Sequence, residues 1–140
     1  MKKRFLPLLM ILVVLLGCTT VVPVYATERE SIYKEPILER YTYINRFICD
    51  LRIVNGTANV SVFLDSTNSS VPSITARITL QEKNGSTWVT KRSWTETSTG
   101  NSLYMNKTYN VTSGKTYRAI ATATVYTETV SLTTGAQTAN

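Results

Sequence analysis

Residues 111–125, Val-Thr-Ser-Gly-Lys-Thr-Tyr-Arg-Ala-Ile-Ala-Thr-Ala-Thr-Val, join a turn to the most regular alternation in the chain. From Tyr117 to Val125 every second residue is apolar, and the residues between them are mostly polar. Successive side chains of a β-strand point to opposite faces, so this pattern predicts a strand with one buried face. Gly114 supplies the backbone freedom that the preceding turn requires.

The same period of two continues on both sides of this stretch. Its apolar positions are Tyr41, Tyr43, Phe47, Cys49, Leu51 and Ile53, with Ile44 and Ile48 as exceptions; Ala58, Val60, Val62 and Leu64; Ile74, Ala76, Ile78 and Leu80; Leu103, Met105, Tyr109 and Val111; and Val130 with Leu132. Asn55-Gly56 and Asn84-Gly85 favour tight hairpin turns, because both residue types tolerate positive φ.

The segment from Trp88 to Thr97 follows this pattern less regularly. Trp88 and Trp94 are predicted to share one face, but Arg92 lies between them. We therefore expect this strand to lie at a sheet edge or to carry a bulge.

Seven short strands and no sustained helical period define the predicted fold. The chain is expected to be all-β, with an immunoglobulin-like antiparallel β-sandwich of about seven strands over residues 41–134. A closed barrel is the alternative architecture.

The spacing of Val111, Gly114 and Tyr117 resembles the tyrosine corner at the entry to the sixth strand of fibronectin type III and other immunoglobulin-like domains. Val111 replaces the more common Leu, and no Pro precedes Gly114. The resemblance implies that the Tyr117 ring enters the core while its hydroxyl bonds to backbone upstream.

A wider resemblance rests on Leu80-Gln81-Glu82-Lys83, Trp88, Ser93-Trp94 and Tyr117-Arg118. In this order they are similar to motifs of a group of small secreted proteins from Gram-positive bacteria, over residues 41–134. Two residues separate Gly114 from Tyr117, which departs from the group's pattern. The resemblance implies secretion and an all-β fold, and it supplies no activity.

Residues 1–26 have the organisation of a secretory signal peptide. Lys2, Lys3 and Arg4 precede an apolar run, and Ala26 ends the segment after Val24 and Tyr25. Two alternatives remain: a lipid anchor at Cys18, or an uncleaved anchor over residues 5–25. Residues 27–40 are predicted to form a polar tether, an edge strand or a short helix, and residues 135–140 a C-terminal tail.

Charge and cysteine content restrict the partners. The net charge of +6 includes Lys2, Lys3 and Arg4, so the chain after the predicted cleavage carries +3. Its basic residues are spread singly apart from Lys91-Arg92, which argues against nucleic-acid binding. After cleavage Cys49 is the sole cysteine, and its position among Phe47 and Leu51 predicts a buried, unreactive thiol and a monomer.

The sequence offers little catalytic chemistry. It contains no His, which removes the usual general base and the commonest neutral metal ligand. The acidic candidates are scattered: Asp50, Asp65, Glu82, Glu96 and Glu128. We therefore predict no catalytic, cofactor-binding or metal site, and a protein that is not an enzyme.

Aromatic residues are the remaining candidates for function. Trp88, Trp94, Phe63, Tyr104 and Tyr126 cannot all lie inside a small sandwich, and exposed aromatic rings anchor ligands. Trp88 and Trp94 are the candidate ligand-binding residues; the alternative is that both cap the core. The sequence thus predicts a secreted, non-enzymatic module that binds a cell-surface glycan or protein. The alternatives are an antimicrobial or toxin-like effector and a structural envelope component.

Overall fold

The computed structural model describes residues 41–70 and 73–140. The predicted signal peptide and tether, residues 1–40, lie outside the described residues. The strands are β1 (Ile44–Val54), β2 (Thr57–Ser66), β3 (Ile74–Asn84), β4 (Thr87–Ser98), β5 (Ser102–Asn110), β6 (Thr116–Val125), β7 (Glu128–Thr133) and β8 (Gln137–Thr138).

These strands form two antiparallel sheets. One contains β1, β2 and β5 in that order, and the other has the order β4-β3-β6-β7, with β8 pairing to β6 beyond the end of β7. The chain crosses between sheets after β2, β4 and β5, as in Greek-key sandwiches. The fold is therefore an immunoglobulin-like antiparallel β-sandwich, which confirms the predicted fold class.

The core lies between the sheets and follows the predicted alternation. The inward residues of β2, β3 and β6 are almost fully buried: Ala58, Val60, Val62 and Leu64; Ile74, Ala76, Ile78 and Leu80; and Tyr117, Ala119, Ala121, Ala123 and Val125. Removing such side chains from water contributes about 1.5–3 kcal/mol for each Val, Leu or Ile. This burial stabilises a fold whose one described cysteine, Cys49, is a free thiol.

The beginning of β1 departs from the predicted alternation. Ile44 was expected on the outer face, but its side chain is 1% exposed. The pairing with β2 shifts between Ile44 and Arg46, so Asn45 is an extra residue that changes which face the chain presents. From Phe47 onward the predicted faces hold, and Ile48 lies on the outer face.

The C-terminal segment also differs from its prediction. Residues 135–140 were expected to form a tail, but Gln137 and Thr138 pair with β6, and Ala139 is 1% exposed. The amide of Ala139 donates to the Lys115 carbonyl at 2.9 Å, and the Gly114 amide donates to the Ala139 carbonyl at 2.7 Å. The sandwich therefore continues through Ala139.

Candidate ligand-binding face

Tyr117 occupies the junction of the β5–β6 loop with the core. Its ring is buried, and its hydroxyl accepts a hydrogen bond from the Thr112 amide at 3.0 Å. Gly114 has a φ of 77°, and Val111 packs partly against the core. These contacts have the form of a tyrosine corner, and they give Val111, Gly114 and Tyr117 structural roles.

The Tyr117 hydroxyl also donates to the Glu82 carboxylate, at 2.9 Å. This hydrogen bond, together with the charge of Lys91 at 3.4 Å, holds the pKa of Glu82 below its ordinary value despite partial desolvation. Glu82 therefore remains ionised at neutral pH and fixes the end of β3 to the corner.

Most of the other acidic candidates also have structural partners. Glu96 pairs with Lys107, Asp65 accepts a hydrogen bond from Asn45 at 2.9 Å, and Glu128 accepts from two backbone amides. Over residues 41–70 and 73–140, no cluster of three or more His, Cys, Asp or Glu side chains could hold a metal ion.

Cys49 lies on the inner face of β1. Burial, with a smaller contribution from the neighbouring Asp50 charge, raises the pKa of its thiol to about 12. The thiolate is the nucleophilic form of cysteine, so Cys49 is unreactive at neutral pH in the folded protein.

The two tryptophans lie on opposite faces of β4. β4 is the edge strand of its sheet, and its pairing with β3 shifts between Leu80 and Gln81, which leaves Lys91 as an extra residue. This bulge inverts the alternation between Trp88 and Trp94, so the prediction that they share a face is wrong. Trp94 pairs with Ile78 and packs partly against the core.

Trp88 is directed to the outer face of the five-stranded sheet, where it contacts Arg118 of β6. The Arg118 guanidinium carbon lies 4.3 Å from the centroid of the indole ring. Its Nε donates at 2.9 Å to the side-chain oxygen of Gln81 on β3, the strand that lies between β4 and β6. Trp88, Gln81 and Arg118 thus form a half-exposed cluster spanning three strands, in which the guanidinium is held in one orientation.

Rows of hydroxyl side chains continue this face beyond the cluster. Threonine and serine occupy outward positions that are paired across the strands: Thr97, Thr75, Thr124 and Thr129 in one row, Thr95, Thr122 and Ser131 with Arg77 in the next, and Ser93, Thr79 and Thr133 with Ile120 in the third. Neighbouring hydroxyls approach to between 2.9 and 3.2 Å at four of these pairs. We call the outer surface of β4, β3, β6 and β7 the hydroxyl face.

The charges on the hydroxyl face have one sign. Arg77, Lys83 and Arg118 lie at its outward positions, and none of its outward positions in the described strands carries a carboxylate. Glu82, Glu96 and Glu128 belong to the same sheet, but their partners are Tyr117, Lys107 and the backbone just before β1, respectively.

The other aromatic candidates lie elsewhere. Phe63 pairs with Ile48 and Tyr104 on the outer face of the three-stranded sheet, and Tyr104 is 62% exposed. Tyr126, in the β6–β7 turn, lies beside Tyr43 with ring centroids 5.2 Å apart. The structure therefore does not bring the five aromatic residues into one site.

Arg118 and Gln81, which form the cluster with the predicted residue Trp88, were not among the predicted site residues. Alternation indicates which residues point outward, but it does not show that Arg118 reaches Trp88 across β3. The available indication of a polar face was the alternation of hydroxyl residues at Thr122 and Thr124 and then at Thr129, Ser131 and Thr133.

No protein-family model matches this chain, and no curated protein is significantly similar to it. The resemblance to small secreted proteins of Gram-positive bacteria stays a prediction from the motifs. In the strands and loops from Tyr41 onward that the structure describes, no helix has the length and hydropathy of a membrane span.

Proposed function

We propose that this protein is a secreted, non-enzymatic module that binds a cell-surface ligand through the hydroxyl face. The observation that carries the proposal is the Trp88–Arg118–Gln81 cluster, which lies on the outside of the sheet and fills no part of the core. Aromatic and arginine side chains are the residues most enriched at binding hot spots.

The composition of the face favours a glycan over a protein. Centres of protein interfaces are apolar and aromatic, whereas the outward positions around Trp88 carry hydroxyl, amide and cationic groups. Such groups donate to and accept from sugar hydroxyls, and the indole offers an apolar surface to the C–H groups of a sugar ring.

The acidic residues support a non-enzymatic role. Acid–base catalysis needs groups free to exchange protons with a substrate. Glu82 instead accepts a hydrogen bond from Tyr117, and Glu96 forms an ion pair with Lys107 of β5. Glu128 accepts a hydrogen bond from the Tyr43 amide, just before β1.

Binding of the purified chain to immobilised peptidoglycan with its wall polymers, and to mucin glycans, tests the proposal. Trp88→Ala is expected to lower affinity by about tenfold or more, in the range of hot-spot truncations. Tyr104→Ala is the matched control, because it removes an exposed aromatic ring from the other sheet. Equal binding by wild type and Trp88→Ala, or equal loss in Tyr104→Ala, would contradict it.

A further inference from the structure

We infer that the ligand of the hydroxyl face is an acidic glycan, whose sugars carry carboxylate or phosphate groups. This inference rests on the proposed function, because it names the ligand class of the same face. It is carried by the orientation of Arg118, the spacing of the neighbouring cations and the distribution of acidic residues.

The Arg118 guanidinium is preorganised to pair with an anion. Its Nε donates to Gln81 and its guanidinium carbon lies over the Trp88 ring, so two contacts restrain the group and its two terminal nitrogens are its remaining donors. Among the described residues, the ion pairs join Lys91 to Glu82 and Lys107 to Glu96, and neither involves Arg118. A guanidinium fork matches the oxygens of carboxylate or phosphate with two parallel hydrogen bonds.

Two further cations lie along β3 on the same face. Arg77 and Lys83 are six positions apart, which corresponds to about 20 Å of extended strand, and Gln81, the partner of Arg118, lies between them. A linear polymer with charged sugars can contact all three cations, whereas a neutral glycan leaves them without counter-charges. The absence of outward carboxylates from the described part of this face favours the charged polymer.

The face is less suited to other polyanions. Single-stranded nucleic acids stack successive bases on several aromatic rings, whereas Trp88 is the one aromatic residue at the outward positions of β3, β4, β6 and β7. Membrane surfaces are bound by several apolar side chains that insert among the lipids, and only Ile120 accompanies Trp88 here.

The test compares two forms of one polymer. Polygalacturonate carries a carboxylate on each sugar, and complete methyl esterification removes the charge while keeping the sugar ring. We expect the wild-type chain to bind the acid form about tenfold more tightly at low salt, and the difference to shrink as salt rises. Polyglycerol phosphate serves as the phosphate-bearing probe.

Substitutions test whether the preference for the acid polymer resides on the hydroxyl face. Arg118→Gln is expected to lower affinity for the acid polymer about tenfold, and Arg118→Lys to retain part of the binding because the charge remains without the fork. Arg52→Gln removes one charge from the exposed outer side of the other sheet and is expected to leave affinity within about twofold.

Each outcome decides the inference. Equal binding of the acid and esterified polymers overturns it; if Trp88→Ala still abolishes that binding, the proposed function stands. Equal losses in Arg52→Gln and Arg118→Gln would indicate unspecific charge attraction and also overturn it. Absence of binding to all three polymers would overturn the inference. Arg118-dependent binding to phosphatidylglycerol vesicles alone would overturn it too. If the wall and mucin assays are also negative, the proposed function fails as well.

Discussion

Tyr117 connects three parts of the sandwich through one side chain. Its ring fills the core, its hydroxyl accepts from the Thr112 amide in the β5–β6 loop, and the same hydroxyl donates to Glu82 on β3. The loop and two strands are thereby fixed at the end of the molecule that also carries Lys83 and Arg118.

Replacing this residue should separate the contribution of the hydroxyl from that of the ring. Tyr117→Phe is expected to lower the free energy of unfolding by about 1–3 kcal/mol, because one hydrogen bond is to a charged group. Tyr117→Ala should lower it by about 3–5 kcal/mol through the added cavity. Urea unfolding measures both, with Tyr104→Phe as the exposed control. Near-zero effects of both Tyr117 substitutions would contradict the corner.

Glu128 links folding stability to pH. Desolvation raises the pKa of its carboxyl, but hydrogen bonds from the Thr42 and Tyr43 amides outweigh it and hold the pKa below the ordinary value of 4.5. The folded state therefore favours the ionised form. The resulting stabilisation is complete above the ordinary pKa and is lost as pH falls through the lowered one.

Glu128→Gln should accordingly weaken the dependence of stability on pH below 4.5. Some dependence should remain, because the pKa of Glu82 is lowered as well, chiefly by its hydrogen bond from Tyr117. Chemical unfolding at a series of acidic pH values measures the slope, with Thr129→Ser as a neighbouring substitution that changes no charge. An unchanged slope in Glu128→Gln would be inconsistent with this role.

At the scale of the elements, the bulge in β4 determines which face Trp88 occupies. Lys91 is the extra residue between the Leu80–Arg92 and Gln81–Thr90 pairs. Without it, strict alternation would place Trp88 on the same side as Trp94, toward the core and away from Arg118.

Deletion of Lys91 should therefore break the contact between Trp88 and Arg118. Lys91→Ala keeps the bulge while removing the ion pair with Glu82, so this variant should retain the contact. Nuclear Overhauser effects between the indole ring and the Arg118 side chain measure the difference. A contact that persists after the deletion would show that the bulge does not set the face.

The regular strands could be predicted from sequence, because their burial repeats with period two. The inward faces of β2, β3 and β6 are those that alternation indicates. Bulges at Asn45 and Lys91 could not be placed, since each depends on pairing with another strand. β8 has two residues, too few to show a period, and its position depends on main-chain bonds to the β5–β6 loop.

The candidate site could be predicted from the sequence only in part. Trp88 could be identified as a candidate because few tryptophans occur in the chain and its strand was expected at an edge. Arg118 and Gln81 could not be joined to it, because the cluster spans three strands whose order is fixed by the crossings between sheets. Trp94 faces the core because of the bulge, so it is not part of the outer cluster.

At the scale of the whole molecule, the lateral sides of the sandwich are held by side chains. Lys107 and Glu96 join β5 to β4 on one side. On the other, the Gln137 side chain donates to the Leu51 carbonyl and accepts from the Ile53 amide of β1. The contacts of Gln137 occupy backbone groups at the β1 edge, which hinders pairing of that edge with strands of other chains.

The two outer faces differ in character. The three-stranded sheet presents Phe63 and Tyr104 among both acidic and basic side chains, including Asp65 and Arg52. The hydroxyl face has cations and hydroxyls without outward carboxylates over the described strands. This asymmetry is the reason for proposing that the ligand binds to the five-stranded sheet.

The most direct test of that assignment is a map of NMR shift changes on the purified chain during titration with oligogalacturonate. We predict changes at the Trp88 indole N–H, the Arg118 Nε–H and the backbone near Arg77 and Lys83, with none at Phe63 or Tyr104. Changes centred on the three-stranded sheet, or spread evenly over both faces, would contradict the claim that the hydroxyl face binds the ligand.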